Sequence, residues 1–117
     1  MARWSDAIHL KENHHWKKDL NHPGVYEIGF VRNGEFNPKH VGKGSNTVYE
    51  RLSKHWNERG SRKIAEYYQS KAMAEQRDML YFHFIITENY GVMEQNLLAR
   101  FKIGRDGGIY EWNLKYE

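Results

Sequence analysis

The sequence predicts an α+β fold, a small three-stranded antiparallel sheet flanked by helices, and three observations predict it. Gly24 to Val31 and Lys39 to Gly42 are strand-forming runs joined across Asn33-Gly34, the dipeptide that suits a tight hairpin turn. Met79 to Ile86 is apolar on both faces, as expected of a central strand. The stretches around these runs space their apolar residues at helical intervals. With 117 residues the chain has room for one core and little more.

Each element has its own signal. Trp4 to Leu20 reads as a helical arm of weak amphipathicity, ended by the breaker cluster Asn21-His22-Pro23-Gly24. Along the first strand Tyr26, Ile28 and Phe30 share one face, and Val25, Glu27 and Val31 share the other. Gly42 and Gly44 mark a tight exit from the second strand. Thr47 and Glu50 then fit a capping box that opens a helix, with Gly60 as its stop. A second helix is expected from Arg62 to Gln76, burying Ile64, Tyr67, Tyr68 and Ala72. A third runs from Gly91 to Ile103, followed by the loop Arg105-Asp106-Gly107-Gly108 and a short extended tail from Tyr110 to Tyr116.

Composition excludes several classes of function. There is no cysteine, so a disulfide framework, thiol catalysis and thiolate zinc sites all fall away. Hydrophobic residues at 39% and charged residues at 28% suit a folded chain rather than a disordered one. The longest apolar run is too short to cross a bilayer, and the first residues carry no apolar signal core. A cytoplasmic protein with no membrane partner is the expectation. Net charge is +3, but residues 39–63 hold seven Lys/Arg against two acids. A polyanion is the natural partner of such a segment.

Chemistry-bearing residues fall on these elements in a pattern. On the helix from Val48, about 100° per residue turns Val48, Leu52 and Trp56 toward the core. Arg51 and His55, four apart, lie one above the other on the shoulder of that arc, where both can reach a phosphate lying over the sheet. Glu94 falls inside the apolar stripe of Met93, Leu97, Leu98 and Phe101. A carboxylate there is costly unless it is paired or holds a cation. It reads either as a buried salt bridge or as a metal ligand or catalytic carboxylate. Tyr26 and His40 lie on neighbouring strands, and Asn113 sits between Trp112 and Leu114. Trp4, Trp16, Trp56 and Trp112 suit a core better than base stacking, because a small sheet needs large side chains to fill it. His14 and His15 are adjacent on a helix, which points their rings about 100° apart and counts against a shared metal with His9.

Taken together, Gly24-Val25-Tyr26, His40-Val41-Gly42, Arg51 with His55 four later, Glu94 and Asn113 resemble the GIY-YIG nuclease superfamily. Order, approximate spacing and elements agree across residues 23–117, which leaves residues 1–22 as an N-terminal helical arm. Two features depart from the family pattern. His40 stands where the family has a tyrosine, and the hairpin connection is longer than usual. With no zinc finger or helix-turn-helix appended, the resemblance implies a stand-alone catalytic domain.

That resemblance implies hydrolysis of phosphodiester bonds in DNA with one divalent metal, Mg²⁺ or Mn²⁺, held by Glu94. Arg51 would stabilise charge on the pentacovalent phosphorus. Tyr26 would be the base, its phenol pKa of about 10 lowered by Lys43, His40 or the metal. His55 would hydrogen-bond Tyr26 or the phosphate, or assist proton transfer, and His40 retains the capacity to donate or accept a proton. Lys43 is a phosphate-binding candidate, with Lys39, Lys54 and Arg59 as further substrate contacts. Asn113 would fix the geometry of the site. The alternative is a non-catalytic nucleic-acid-binding module on the same fold; a third reading is a partner for an acidic protein. Retention of Tyr26, Arg51, His55 and Glu94 together favours the nuclease. One active site cuts one strand, so double-strand cleavage would need a homodimer or two successive events.

Overall fold

The computed structural model describes residues 3–56 and 80–114. Arg59, Gly60, the helix expected from Arg62 to Gln76 with its four buried positions, and Met79 lie outside the described residues. In chain order the elements are β1 (Ile8–His9), a 3-10 helix (Leu10–Trp16), α1 (Lys17–Leu20), β2 (Gly24–Arg32), β3 (Glu35–Gly44), α2 (Val48–Trp56), β4 (Tyr81–Ile86), α3 (Tyr90–Phe101) and a 3-10 turn (Gly104–Asp106).

The sheet has four antiparallel strands rather than three, in the order β1-β4-β2-β3. The extra strand comes from the arm, which is helical only from Leu10 onward. Before that, the arm lies along β4. Ile8 and His9 pair with Phe82 and Tyr81, the Ser5 amide donates to the Phe84 carbonyl, and the Leu10 amide donates to the Leu80 carbonyl. Ile8 and Leu10 are buried two residues apart, the period of a strand. Their run is too short to stand out in the sequence. β4 is accordingly an inner strand, flanked by β1 and β2.

β2 and β3 form the expected hairpin. Asn33 and Gly34 both take positive φ, 53° and 78°, as a type I′ turn requires. The ladder runs from Arg32↔Glu35 to Gly24↔Gly44, with one irregularity: Ile28 pairs with His40, but Gly29 pairs with Pro38. Lys39 is therefore the extra residue of a bulge within β3, which begins at Glu35 rather than at Lys39, so the connection itself is only a two-residue turn. Pro38 offers no amide to the ladder, and a bulge is where a strand tolerates that.

One face of the sheet packs Tyr26, Ile28 and Phe82 against Val48 and Leu52 of α2 and against Leu10 and Leu20 of the arm. The other packs Val25 and Val41 against Leu98 of α3, with Ile103 and Tyr110. At the start of α2 the Glu50 amide donates to Thr47 Oγ1 at 3.1 Å. The reciprocal half of the capping box is absent: the Glu50 carboxylate accepts from Asn46 Nδ2 at 3.2 Å and lies 3.5 Å from Lys54 Nζ. Nor is the part of the expected tail from Tyr110 to Leu114 extended, and Lys115 and Tyr116 lie outside the described residues. Ile103 bridges Tyr110 in parallel, residues 111 and 112 turn, and the Trp112 amide donates to the Lys39 carbonyl at 2.8 Å. Among the described residues no helix is long and apolar enough to cross a membrane.

α3 ends at Lys102 with φ 64° and ψ 158°, a region that glycine occupies far more readily than lysine. Lys102→Gly is therefore expected to raise stability by about 1 kcal/mol, measured by urea denaturation. An unchanged midpoint would mean that the backbone there is unstrained.

Candidate active site

The two layers meet at the outer edge of β3, and there four elements each contribute side chains. β2 supplies Tyr26, β3 supplies His40 and Lys43, α2 supplies Arg51, and α3 supplies Glu94. Together with Val41 and Gly42 they line a cavity of about 180 Å³. His55 stands directly behind it, its Nε2 2.7 Å from Tyr26 Oη. Five residues that the sequence scatters from 26 to 94 thus converge on one place.

Register explains the convergence. Tyr26 pairs with Gly42, and Ile28 with His40, so Tyr26 and His40 lie diagonally across neighbouring strands. Their ring centroids are 6.2 Å apart. His55 approaches both rings edge-on, at 5.5 Å from Tyr26 and 4.9 Å from His40. Four residues earlier on α2, Arg51 comes into line with the cavity.

Gly42 does more than end a strand. A Cβ placed there would collide with Tyr26 Oη and lie 2.5 Å from the ring carbon that bears it. The phenol crosses β3 through the space that a side chain would fill. Gly42→Ala should displace Tyr26 from His55 while leaving the hairpin paired. We expect the tyrosine's near-ultraviolet circular dichroism to change. An unchanged spectrum in the Gly42→Ala variant would mean that Tyr26 does not need the space over Gly42.

Burial sets the protonation states. It pushes the Tyr26 phenol up to about 12, with Arg51 pulling the other way. This is opposite to the lowering expected from neighbouring cations, because the ring is fully enclosed. His40 is lowered to about 4 by burial and, second, by Arg51. Burial, then His40 and Arg51, hold His55 well below its ordinary value. Both imidazoles are neutral at pH 7, and with the His55 proton on Nδ1 the Tyr26 hydroxyl donates to His55 Nε2. Burial raises the Glu94 carboxyl, against the pull of Lys43 and Arg51.

Two buried atoms here lack a hydrogen-bond partner, His40 Nδ1 and Glu94 Oε1. Lys43 Nζ stands 3.8 Å from Glu94 Oε1, an ion pair too long for a hydrogen bond. An unsatisfied carboxylate oxygen beside a cavity fits a hard divalent ion whose other ligands are water and substrate oxygen. Among the described residues no group of three or more His, Asp or Glu gathers into a ready-made metal cage. Among the described residues, Glu94 is the carboxylate that lines the cavity.

The remaining candidates lie elsewhere or act otherwise. Lys39 Nζ bonds Glu111 Oε1 at 2.9 Å, away from the cavity. Lys54 pairs with Glu50 on the exposed side of α2. The Asn113 side chain accepts from the Val41 amide at 2.9 Å and donates to the Val41 carbonyl at 3.0 Å. It therefore pins β3 midway between His40 and Gly42. The sequence reading missed Gly42 as the seat of Tyr26, although its opposition to Tyr26 follows from the hairpin register. No family model, curated protein or solved structure matches the chain.

Proposed function

We propose that the protein is a divalent-metal-dependent endonuclease that hydrolyses phosphodiester bonds in DNA. One observation carries the reading: Tyr26, His40, Lys43, Arg51 and Glu94 line a single small cavity, and Glu94 Oε1 is buried there without a hydrogen bond. A phosphate suits the basic side of that cavity, and a metal ion suits the acidic side.

Glu94 would hold Mg²⁺ or Mn²⁺, which when bound neutralises phosphate charge and acidifies water. Arg51 donates to the non-bridging oxygens and stabilises the charge that builds on them in the transition state. Lys43 offers a second, more exposed cation to the substrate backbone. Tyr26 stays protonated near neutrality, so it acts as a base only in concert. Its hydroxyl oxygen takes a proton from the attacking water while its own proton passes to His55 Nε2, 2.7 Å away. The water oxygen bonds to phosphorus, the bond to the leaving sugar oxygen breaks, and that oxygen takes a proton from solvent. His40 Nδ1 is available to accept a hydrogen bond from water or to donate one to phosphate, according to tautomer.

Metal-dependent nicking of supercoiled plasmid tests the reading. Activity in Mg²⁺ that EDTA removes supports it. Binding without nicking would favour the non-catalytic module. Linear product appearing with second-order dependence on protein would point to a homodimer at the cut.

The pH dependence is also specified. With its pKa near 4, His40 is neutral across the physiological range, so its contribution should be present above that value and lost as pH falls through it. Single-turnover cleavage should be flat with respect to His40 between pH 6 and 8 (about two to four units above its pKa). His40→Tyr should retain substantial activity. His55→Gln, run beside it, separates the two histidines. A His40-dependent inflection near 6.5 would overturn the burial argument.

A further inference from the structure

Glu27 follows Tyr26 on β2 but faces the opposite side of the sheet, and the proposed chemistry does not use it. It is 5% exposed, and both oxygens are occupied. His83 Nε2 lies 2.6 Å from Oε1, across the β2–β4 pair in which these two residues are register partners. Tyr110 Oη donates to Oε2 at 2.5 Å. The His83 ring is in turn held between Trp4, stacked at 4.0 Å, and Phe36, at 4.2 Å. One carboxylate thus gathers the arm, the hairpin, β4 and the C-terminal loop.

A buried charge is a poor way to gain stability, since a well-packed apolar residue serves as well or better. What it supplies is direction. Tyr110 is fixed by its hydroxyl to Glu27 and by its backbone to Gly104 and Lys102. Its carbonyl accepts from the Asn113 amide at 3.2 Å, closing the turn that carries Asn113. Asn113 then holds both backbone groups of Val41. Val41 is also the β3 register partner of Glu27. The row His83, Glu27, Val41, Asn113 is therefore continuous across the sheet and ends between two residues that line the cavity.

We propose that Glu27 is a positioning residue. By holding Tyr110 it sets the C-terminal loop so that Asn113 clamps Val41, and with it His40 and Gly42 on either side. The consequence for cleavage rests on the nuclease reading; the positional claim does not.

Residue-resolved hydrogen exchange on the full chain tests it. Tyr110→Phe keeps the ring and removes the hydroxyl. The Val41 amide should then exchange roughly tenfold faster or more, while the amides of the β2–β4 ladder change little. Glu27→Gln, which keeps the shape, should accelerate the same amide. If Tyr110 acts through Asn113, then Tyr110→Phe combined with Asn113→Ala exchanges at Val41 no faster than Asn113→Ala alone. An unchanged Val41 amide, equal acceleration in every strand, or multiplicative effects in the double variant overturn the proposal. If cleavage is present, Tyr110→Phe should lower kcat more than it changes KM. A wild-type protein that cuts no DNA removes the nuclease reading and leaves exchange to decide this one.

Discussion

Glu94→Gln is expected to abolish DNA cleavage in Mg²⁺ while leaving fold and DNA binding intact. The side chain is 3% exposed, so the amide takes the place of the carboxylate without changing the volume of the core. Loss of the negative charge removes the one carboxylate that lines the cavity among the described residues, and an amide oxygen is a far weaker partner for Mg²⁺. Because burial already disfavours the charged form of Glu94, its neutral replacement should not destabilise the protein. Thermal unfolding that is unchanged or slightly raised, together with loss of nicking, is the expected pair of results. Wild-type nicking by this variant would show that Glu94 holds no metal. A loss of both nicking and folding would return it to the role of salt-bridge partner for Lys43.

Arg51→Ala should slow single-turnover cleavage by about 10²–10³, or roughly 3–4 kcal/mol, the usual cost of deleting one preorganised donor to transition-state charge. On the proposed function, affinity for DNA should fall less, since Lys43 also lines the cavity and would remain to meet a phosphate. Arg51 bears on several protonation states at once. It opposes the rise of Tyr26 and helps depress His40 and His55. Without it, the pKa of His40 should move up from about 4 toward its ordinary value, and NMR titration of the imidazole reads that shift. Arg51→Lys restores the charge but not the planar fork, so it should recover the His40 shift better than the rate. A defect confined to binding would make Arg51 a phosphate anchor only.

The sequence exposed the parts whose signals are local. Asn33-Gly34 fixes the hairpin because both positions need positive φ, and alternation along β2 sorts Tyr26 from Glu27. Arg51 and His55 are tied by helical spacing, and Glu94 is conspicuous as an acid in an apolar stripe. What depends on distant pairing was not legible. Ile8–His9 is too short a strand to announce itself; it exists because β4 offers a free edge to the arm. Glu27 carries the same signal as Glu94, an acid among apolar neighbours, but its partners His83 and Tyr110 lie 56 and 83 residues away. The direction of the Tyr26 shift was also hidden. Charged neighbours can be counted in a sequence, whereas complete enclosure of a phenol appears only when the chain is folded.

Asn113 has one more consequence. β3 is the outermost strand on its side of the described sheet, and a bare outer strand invites another chain to add to it. At Val41 both outward-facing backbone groups are taken by an amide side chain, and at Lys39 the carbonyl is taken by the Trp112 amide. One turn of the protein's own chain thus occupies the outer backbone groups in the middle of β3. Asn113→Ala would free those at Val41, and the first sign should be concentration-dependent self-association through β3, visible by light scattering before any loss of secondary structure. The Asn113 clamp is on this view also what keeps neighbouring molecules from pairing edge to edge through β3.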